Sequence, residues 1–138
     1  MSRKPFVLDT SAILTLIEDE AGADRVQEVL TRHDALIPGV ALVECYYVTM
    51  QERGAEEADV RHAHLKALNV AILWTTDEAT SLTAARLKAT HRVSLADALV
   101  AAHAAERGAT LLHKDPEFEA VAPSVRLEAL PYKPSRRR

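Results

Sequence analysis

The sequence predicts an α/β domain in which a parallel sheet carries helices on both faces. Three observations predict it. Short apolar runs alternate with longer helical patterns along the whole chain, the signature of repeated strand–helix–strand units. Two of the short runs stop close to an acidic residue, Asp9 and Asp115, as strands feeding a ligand site do. The chain has 138 residues, 48% hydrophobic but only 4% aromatic. That is the size of one domain, with a core of Ala, Val, Leu and Ile that suits close packing of helices on a sheet.

The elements read in order as follows. Phe6-Val7-Leu8 is a buried strand that ends at Asp9. Thr10 and Ser11 offer N-cap hydroxyls to a helix over residues 12–17. A second helix covers residues 22–32, with Val26, Val29 and Leu30 on one face. Ala35-Leu36-Ile37 is a strand broken by Pro38-Gly39. Helices follow over 40–53, closed by Gly54, and over 56–68. Residues 70–74 form the next strand and 77–89 the next helix. Ser94 opens a further helix that runs to Gly108, a C′ glycine. Thr110-Leu111-Leu112 is another buried strand, and the last strand includes residues 125–127.

Bulk properties exclude several classes. Cys45 is the single cysteine, so no internal disulfide forms, and its apolar flanks make it a small buried side chain. Arg3 and Lys4 precede no long apolar stretch, so the N-terminus is not a signal peptide. No run of roughly 18 apolar residues exists to span a membrane, and the expected location is the cytoplasm. A net charge of −3 argues against holding nucleic acid by bulk positive charge. Residues 133–138 read as a basic, disordered tail after a single domain over 1–132.

Four carboxylates stand out. Glu44 lies inside a strongly apolar helical segment, where an ionised carboxylate is costly unless it is paired or binds a metal. A plainer reading puts Glu44 at the solvent edge of a helix whose buried face is Val40, Val43, Tyr47 and Met50. Ser94-Leu95-Ala96-Asp97 has capping-box spacing, and Asp97 in a first turn also favours the helix dipole. Asp9 and Asp115 could each simply begin a turn. The set is more specific than any member. Four like charges brought together repel unless a cation joins them. A hard divalent ion bound by a few carboxylates and water suits phosphodiester hydrolysis. Arg86, Lys88, Arg92 and Lys114 flank the acidic segments as candidate phosphate contacts. The histidines show no zinc-ligand spacing, and His113 alone stands close to an acidic candidate.

Four segments carrying these acids resemble the motifs of the PIN domain, and within that family the VapC-like toxins. They are Val7-Leu8-Asp9-Thr10-Ser11-Ala12-Ile13, Ala41-Leu42-Val43-Glu44, Ser94-Leu95-Ala96-Asp97-Ala98-Leu99-Val100-Ala101 and Leu111-Leu112-His113-Lys114-Asp115-Pro116-Glu117-Phe118. The resemblance implies a three-layer α/β/α domain with a central parallel sheet and an endoribonuclease dependent on Mg²⁺ or Mn²⁺. It implies Asp9 and Asp97 as principal metal ligands, with Glu44 and Asp115 completing the site directly or through water. Ser11 matches the small polar position that supports the first Asp. The chain departs from the pattern at His113, where Thr or Ser is more usual, and Glu117 is a second acidic candidate in the same motif. The resemblance further implies an RNA substrate, a cognate antitoxin that silences the toxin, and a homodimer.

Other readings remain open at this level. A phosphatase using Asp9 as nucleophile would carry a second Asp two residues on, where this chain has Ser11. A receiver domain would need paired acids after the first strand and would leave Glu44 without a role. A non-catalytic PIN-like module that binds RNA or protein would need no metal.

Overall fold

The computed structural model describes residues 3–134. The basic residues 136–138 of the expected tail lie outside the described residues. Five strands and six α-helices follow one another as β1 (Pro5–Leu8), α1 (Thr10–Ile17), α2 (Ala23–Arg32), β2 (Asp34–Pro38), α3 (Gly39–Arg53), α4 (Ala55–Ala67), β3 (Ala71–Leu73), α5 (Glu78–Thr90), α6 (Leu95–Glu106), β4 (Thr110–His113) and β5 (Leu127–Ala129). A 3₁₀ helix, Pro116–Val121, lies between β4 and β5.

All strand pairs are parallel, in the order β3-β2-β1-β4-β5. Helices flank the sheet in a three-layer α/β/α arrangement. The chain builds outward from β1 through β2 to β3, then crosses back to place β4 on the other side of β1. Strand order therefore reverses between β1 and β4. In parallel sheets the crevice beyond the carboxyl ends at such a reversal is where ligands bind.

Parallel strands are covered on both faces, so their side chains are apolar throughout rather than alternating. Val7, Leu8, Leu111 and Leu112 are almost fully buried, and small residues dominate the helices packed against them, among them Ala98, Ala101, Ala102 and Ala104 of α6. The start of α3 comes very close to the end of β3: a Cβ on Gly39 would lie 3.3 Å from the carbonyl oxygen of Leu73. Arg25 of α2 grips Glu128 of β5 through Nε at 2.7 Å and Nη2 at 2.9 Å, fastening an edge strand.

Three expectations need correction. The cap of α1 is Asp9 itself, whose carboxylate accepts from the Ser11 N–H, not a hydroxyl of Thr10 or Ser11. The last strand begins two residues late, at Leu127, because the Val125 N–H still closes a turn on the Val121 carbonyl. The 3₁₀ helix was not predicted. Pro116 at its start presets φ, and the Asp115 carboxylate accepts from the Glu117 N–H to cap it.

Candidate active site

Asp9 leaves β1 in extended backbone and turns immediately into α1. Its Oδ2 accepts from the Ser11 backbone N–H at 3.0 Å and from Ser11 Oγ at 2.6 Å. Its Oδ1 is buried and has no hydrogen-bond partner among the described residues. An orphaned carboxylate oxygen is costly inside a protein. Burial accordingly pushes the Asp9 pKa up to about 6, against the pull of the Ser11 bonds and with a further push from Glu44. The Ser11 hydroxyl also accepts from the Lys114 N–H at 2.9 Å, so one side chain ties the end of β1 to the end of β4.

Glu44 stands in the second turn of α3, half-buried, with Thr10 Oγ1 donating to Oε1 at 3.0 Å. The plainer reading of this helix is overturned. Its buried face is Ala41, Leu42, Cys45 and Thr49, while Val43 is 62% exposed and Tyr47 and Met50 also face solvent. Small side chains let α3 approach its neighbours closely. The larger apolar residues stand outward.

Asp97 lies in the first turn of α6, its N–H donating to Ser94 Oγ at 3.1 Å. It is 7% exposed. Burial pushes its pKa up to about 7, and the charges of Asp9, Asp115, Glu44 and Glu117 add to the rise, in that order. All the acids singled out from the sequence therefore act on this one carboxyl.

Asp97, Asp115 and Glu117 each place an oxygen within 4.8 Å of the others. Two oxygens across a Mg²⁺ or Ca²⁺ ion lie roughly 4–5 Å apart, given bond lengths of about 2.0–2.6 Å. Glu117 is thus brought into the cluster itself. Asp9 and Glu44 flank it from the β1 side, and their charges reach Asp97.

His113 sits differently. It is fully buried, its ring packed 5.1 Å from Phe118 and 6.1 Å from Tyr132. Its Nδ1 accepts from the Asp115 N–H at 3.1 Å, which leaves the proton on Nε2. His113 supports the backbone of Asp115 from behind. Two of the basic candidates are also engaged elsewhere. Lys114 Nζ donates to the Ala21 carbonyl at 2.7 Å, and Lys88 Nζ to the Val93 carbonyl at 2.9 Å. Arg86 and Arg92 are exposed.

The sequence reading missed Thr10 as the anchor of Glu44, although it lies between the flagged Asp9 and Ser11. It also missed a cleft of about 450 Å³ beside the acids, lined among others by Ser11, Leu14, Glu52, Asp115, Tyr132 and Lys133. No local pattern could announce that cleft, because its walls come from opposite ends of the chain.

Comparison with known proteins identifies the fold and the family. The sequence profile described as PIN domain matches residues 6–123. No curated protein gives a match. Similar solved structures include VapBC2 from Rickettsia felis bound to a fragment of promoter DNA, with a TM-score of 0.76 at 16% identity over 92% of this chain and 99% of that one. DNA-bound VapBC from Salmonella typhimurium gives 0.71 at 23% identity over 93% and 98%. VapC20 from Mycobacterium tuberculosis, described as a sarcin–ricin loop cleaving toxin, gives 0.68 at 16% identity over 84% and 94%. At these identities the likeness is one of fold. The family match spans most of the chain, from β1 past the 3₁₀ helix, and includes every acid of the cluster: the chain belongs to the PIN domain family.

Proposed function

We propose that the protein is a divalent-metal-dependent endoribonuclease and the toxin of a toxin–antitoxin pair. The observation that carries the reading is the convergence of Asp97, Asp115 and Glu117 within 4.8 Å, beside the orphaned Oδ1 of Asp9. So many carboxylates around one buried carboxyl repel unless a cation joins them. Hard oxygen ligands suit Mg²⁺ or Mn²⁺. Asp9 and Asp97 would hold the ion most directly, with Glu44, Asp115 and Glu117 binding it or its waters.

When bound, such an ion lowers the pKa of water and offsets charge on a phosphodiester. The protein's own groups do the rest. Ser11 holds Oδ2 of Asp9 and so aims Oδ1 away from it. Thr10 holds one oxygen of Glu44, leaving the other to orient the attacking water and accept its proton. His113 fixes the Asp115 backbone. Arg86 and Arg92, both exposed, are the remaining candidates for phosphate contact.

The reading is tested by incubating purified, partner-free protein with total cellular RNA under Mg²⁺, Mn²⁺ or EDTA and sequencing new ends. Discrete ends that require metal support it. No ends under any condition, from folded protein, would return the chain to a non-catalytic RNA- or protein-binding module. Ser11→Ala supplies a finer check. Loss of a supporting hydrogen bond behind a metal ligand costs roughly 10–100-fold in affinity or activity. Cleavage and Mn²⁺ affinity should both fall by that order, with a drop in melting temperature of no more than the few degrees that the freed Lys114 N–H accounts for. Wild-type values for both would remove Ser11 from the site.

Two partners accompany this reading. VapBC proteins are described as toxin–antitoxin systems. The cleft beside the acids combines Leu14, Val48 and Tyr132 with Glu18 and Glu52, chemistry that suits an amphipathic, cationic antitoxin segment. The outward stripe Val43, Tyr47 and Met50, at i, i+4 and i+7 of α3, suits a second copy. Light scattering should then give twice the 15.1 kDa chain mass. A mass of one chain at all accessible concentrations would exclude the homodimer. Among the described residues no helix is long and apolar enough to cross a membrane. A protein acting on cellular RNA in this way would work in the cytoplasm.

A further inference from the structure

We propose that the cleft beside Asp115 is a nucleobase subsite, where one unpaired base of the RNA stacks on the Tyr132 ring and Glu52 selects a base rich in N–H donors, guanine first. The proposal rests on the endoribonuclease reading above and names what the substrate places next to the metal centre.

A stacking platform must be rigid and must show a face. After β5, the Leu130 N–H donates to the His113 carbonyl at 2.7 Å. Pro131 then packs so closely on the turn between α1 and α2 that a Cβ on Gly22 would lie 3.1 Å from its Cδ. These contacts fix the backbone on both sides of the segment that carries Tyr132. The Tyr132 ring is braced 6.1 Å from the His113 ring, which lies 5.1 Å from Phe118. Its hydroxyl is anchored as well: burial, and then a hydrogen bond with Glu119, push the phenol up to about 12. The residue is nonetheless 37% exposed, and it lines the cleft. Every base has a π-face that can stack on such a ring.

Charge selects the part of the nucleotide that enters. Among the described residues, the cations on the cleft wall are Lys114 and Lys133, and both are engaged within the protein. Lys114 Nζ donates to the Ala21 carbonyl at 2.7 Å, and Lys133 Nζ lies 2.8 Å from Glu20 Oε2. Neither is free to hold a phosphate. Leu14, Val48 and Pro116 add apolar surface. The phosphate therefore stays with the metal centre, and the neutral base beside it enters the cleft. The two are continuous, because Asp115 lines the cleft and also belongs to the cluster with Asp97 and Glu117. A volume of about 450 Å³ is that of a small-ligand site and admits a base with its ribose.

Glu52 supplies the selectivity. Glu18 is paired with Arg53 and Arg61, and Glu20 with Lys114 and Lys133. Asp115 belongs to the cluster, so Glu52 is the cleft carboxylate that remains without an ion-pair partner among the described residues. A carboxylate accepts two N–H bonds side by side. Guanine offers such a pair through N1 and its amino group. Uracil flanks its one N–H with carbonyl oxygens, which a carboxylate repels.

Two measurements on the full chain test the proposal. In the first, a short single-stranded RNA carrying one thioguanosine is irradiated with the protein in Mn²⁺ and in EDTA, and cross-linked peptides are read by mass spectrometry. The link should fall on the peptide that carries Tyr132. Links only to peptides outside the cleft, such as that of the exposed Trp74, or none at all, would overturn the subsite. In the second, a single-stranded RNA library is cleaved in Mn²⁺ and its new ends are sequenced. Wild type should favour guanine at one position beside the cut. Loss of a stacked base weakens binding roughly five- to hundredfold, so Tyr132→Ala should lose that preference and raise KM by that order. Tyr132→Phe keeps the ring and should keep the preference. Tyr132→Leu, which keeps apolar bulk but no π-face, takes the place of Tyr132→Ala if the latter fails to fold. A guanine preference that survives Glu52→Gln would remove Glu52 from the subsite. Wild-type pattern and KM in Tyr132→Ala or Tyr132→Leu would refute the subsite and leave the cleft to the antitoxin segment alone. Were wild type to cut no RNA, the endoribonuclease reading would fail, while the cross-link would still decide whether the cleft takes a base.

Discussion

Asp97→Asn is expected to abolish RNA cleavage, by roughly 10³-fold or more, while the protein remains folded. Loss of several kcal/mol of charge stabilisation corresponds to that factor, since each 1.4 kcal/mol is about tenfold. Asp97 is the carboxyl on which the other acids act, and with Asp115 and Glu117 it forms the closest group of oxygens. Asn keeps the shape and one acceptor oxygen but cannot carry charge to a hard cation. Folding has no cause to suffer. The cap of α6 uses the backbone N–H of residue 97 and the Ser94 hydroxyl, neither of which the substitution touches. Cleavage rates with saturating Mn²⁺, beside a circular dichroism melt, check both halves. Wild-type cleavage by the variant would displace Asp97 from the site altogether.

The metal-free protein is expected to become less stable as pH rises from about 4 to 7, and Mn²⁺ or Mg²⁺ should restore it. The folded pKa values of Asp97 and Asp9 stand at about 7 and about 6, against 3.8 for an ordinary aspartate. Between pH 4 and 7 the native state therefore holds protons that the unfolded chain has released. Stability then falls with rising pH, the reverse of the usual acidic case. Buried His103 and His113 work in the opposite sense. Burial lowers both, so their stability is lost as pH drops through the ordinary histidine range. The two effects separate in a comparison of melting temperatures. In EDTA, wild type should melt several degrees below Asp97→Asn at pH 8, and the gap should narrow as pH falls and close near pH 4. Divalent ion should raise only the wild-type value appreciably. Parallel pH profiles for the two proteins would show that the Asp97 charge carries no folding cost and would weaken the case for a cation there.

Much of this site was legible because its key features are local. Asp9 follows an apolar strand in the same short stretch that begins a helix, so its place at a strand end is written in its neighbours. Asp97 stands three residues after a capping serine, and that spacing alone sets it in a first helical turn facing the helix entrance. Asp115 is marked by the apolar run before it and the proline after it. In each case hydrophobic periodicity and capping chemistry operate over a few residues, which is the range a sequence shows directly.

The sequence by itself determined the alternation of strands and helices, the mostly aliphatic core, and the positions of Asp9, Asp97 and Asp115 at the ends of elements. Only the tertiary structure decided what those elements face. Val43 and Met50 are as apolar as core residues and Tyr47 presents a large ring, yet all three point outward, because Ala41, Cys45 and Thr49 are small enough to let α3 pack closely. Lys114, next to the acids in sequence, is drawn instead to the carbonyl of Ala21, a residue distant in the chain. Glu117 joins the cluster because an unforeseen 3₁₀ turn folds it back on Asp115. Each of these outcomes depends on strand order and on contacts between distant segments. Periodicity tells a segment which shape to take, and only the sheet's crossover from β3 to β4 tells it which neighbours it will have.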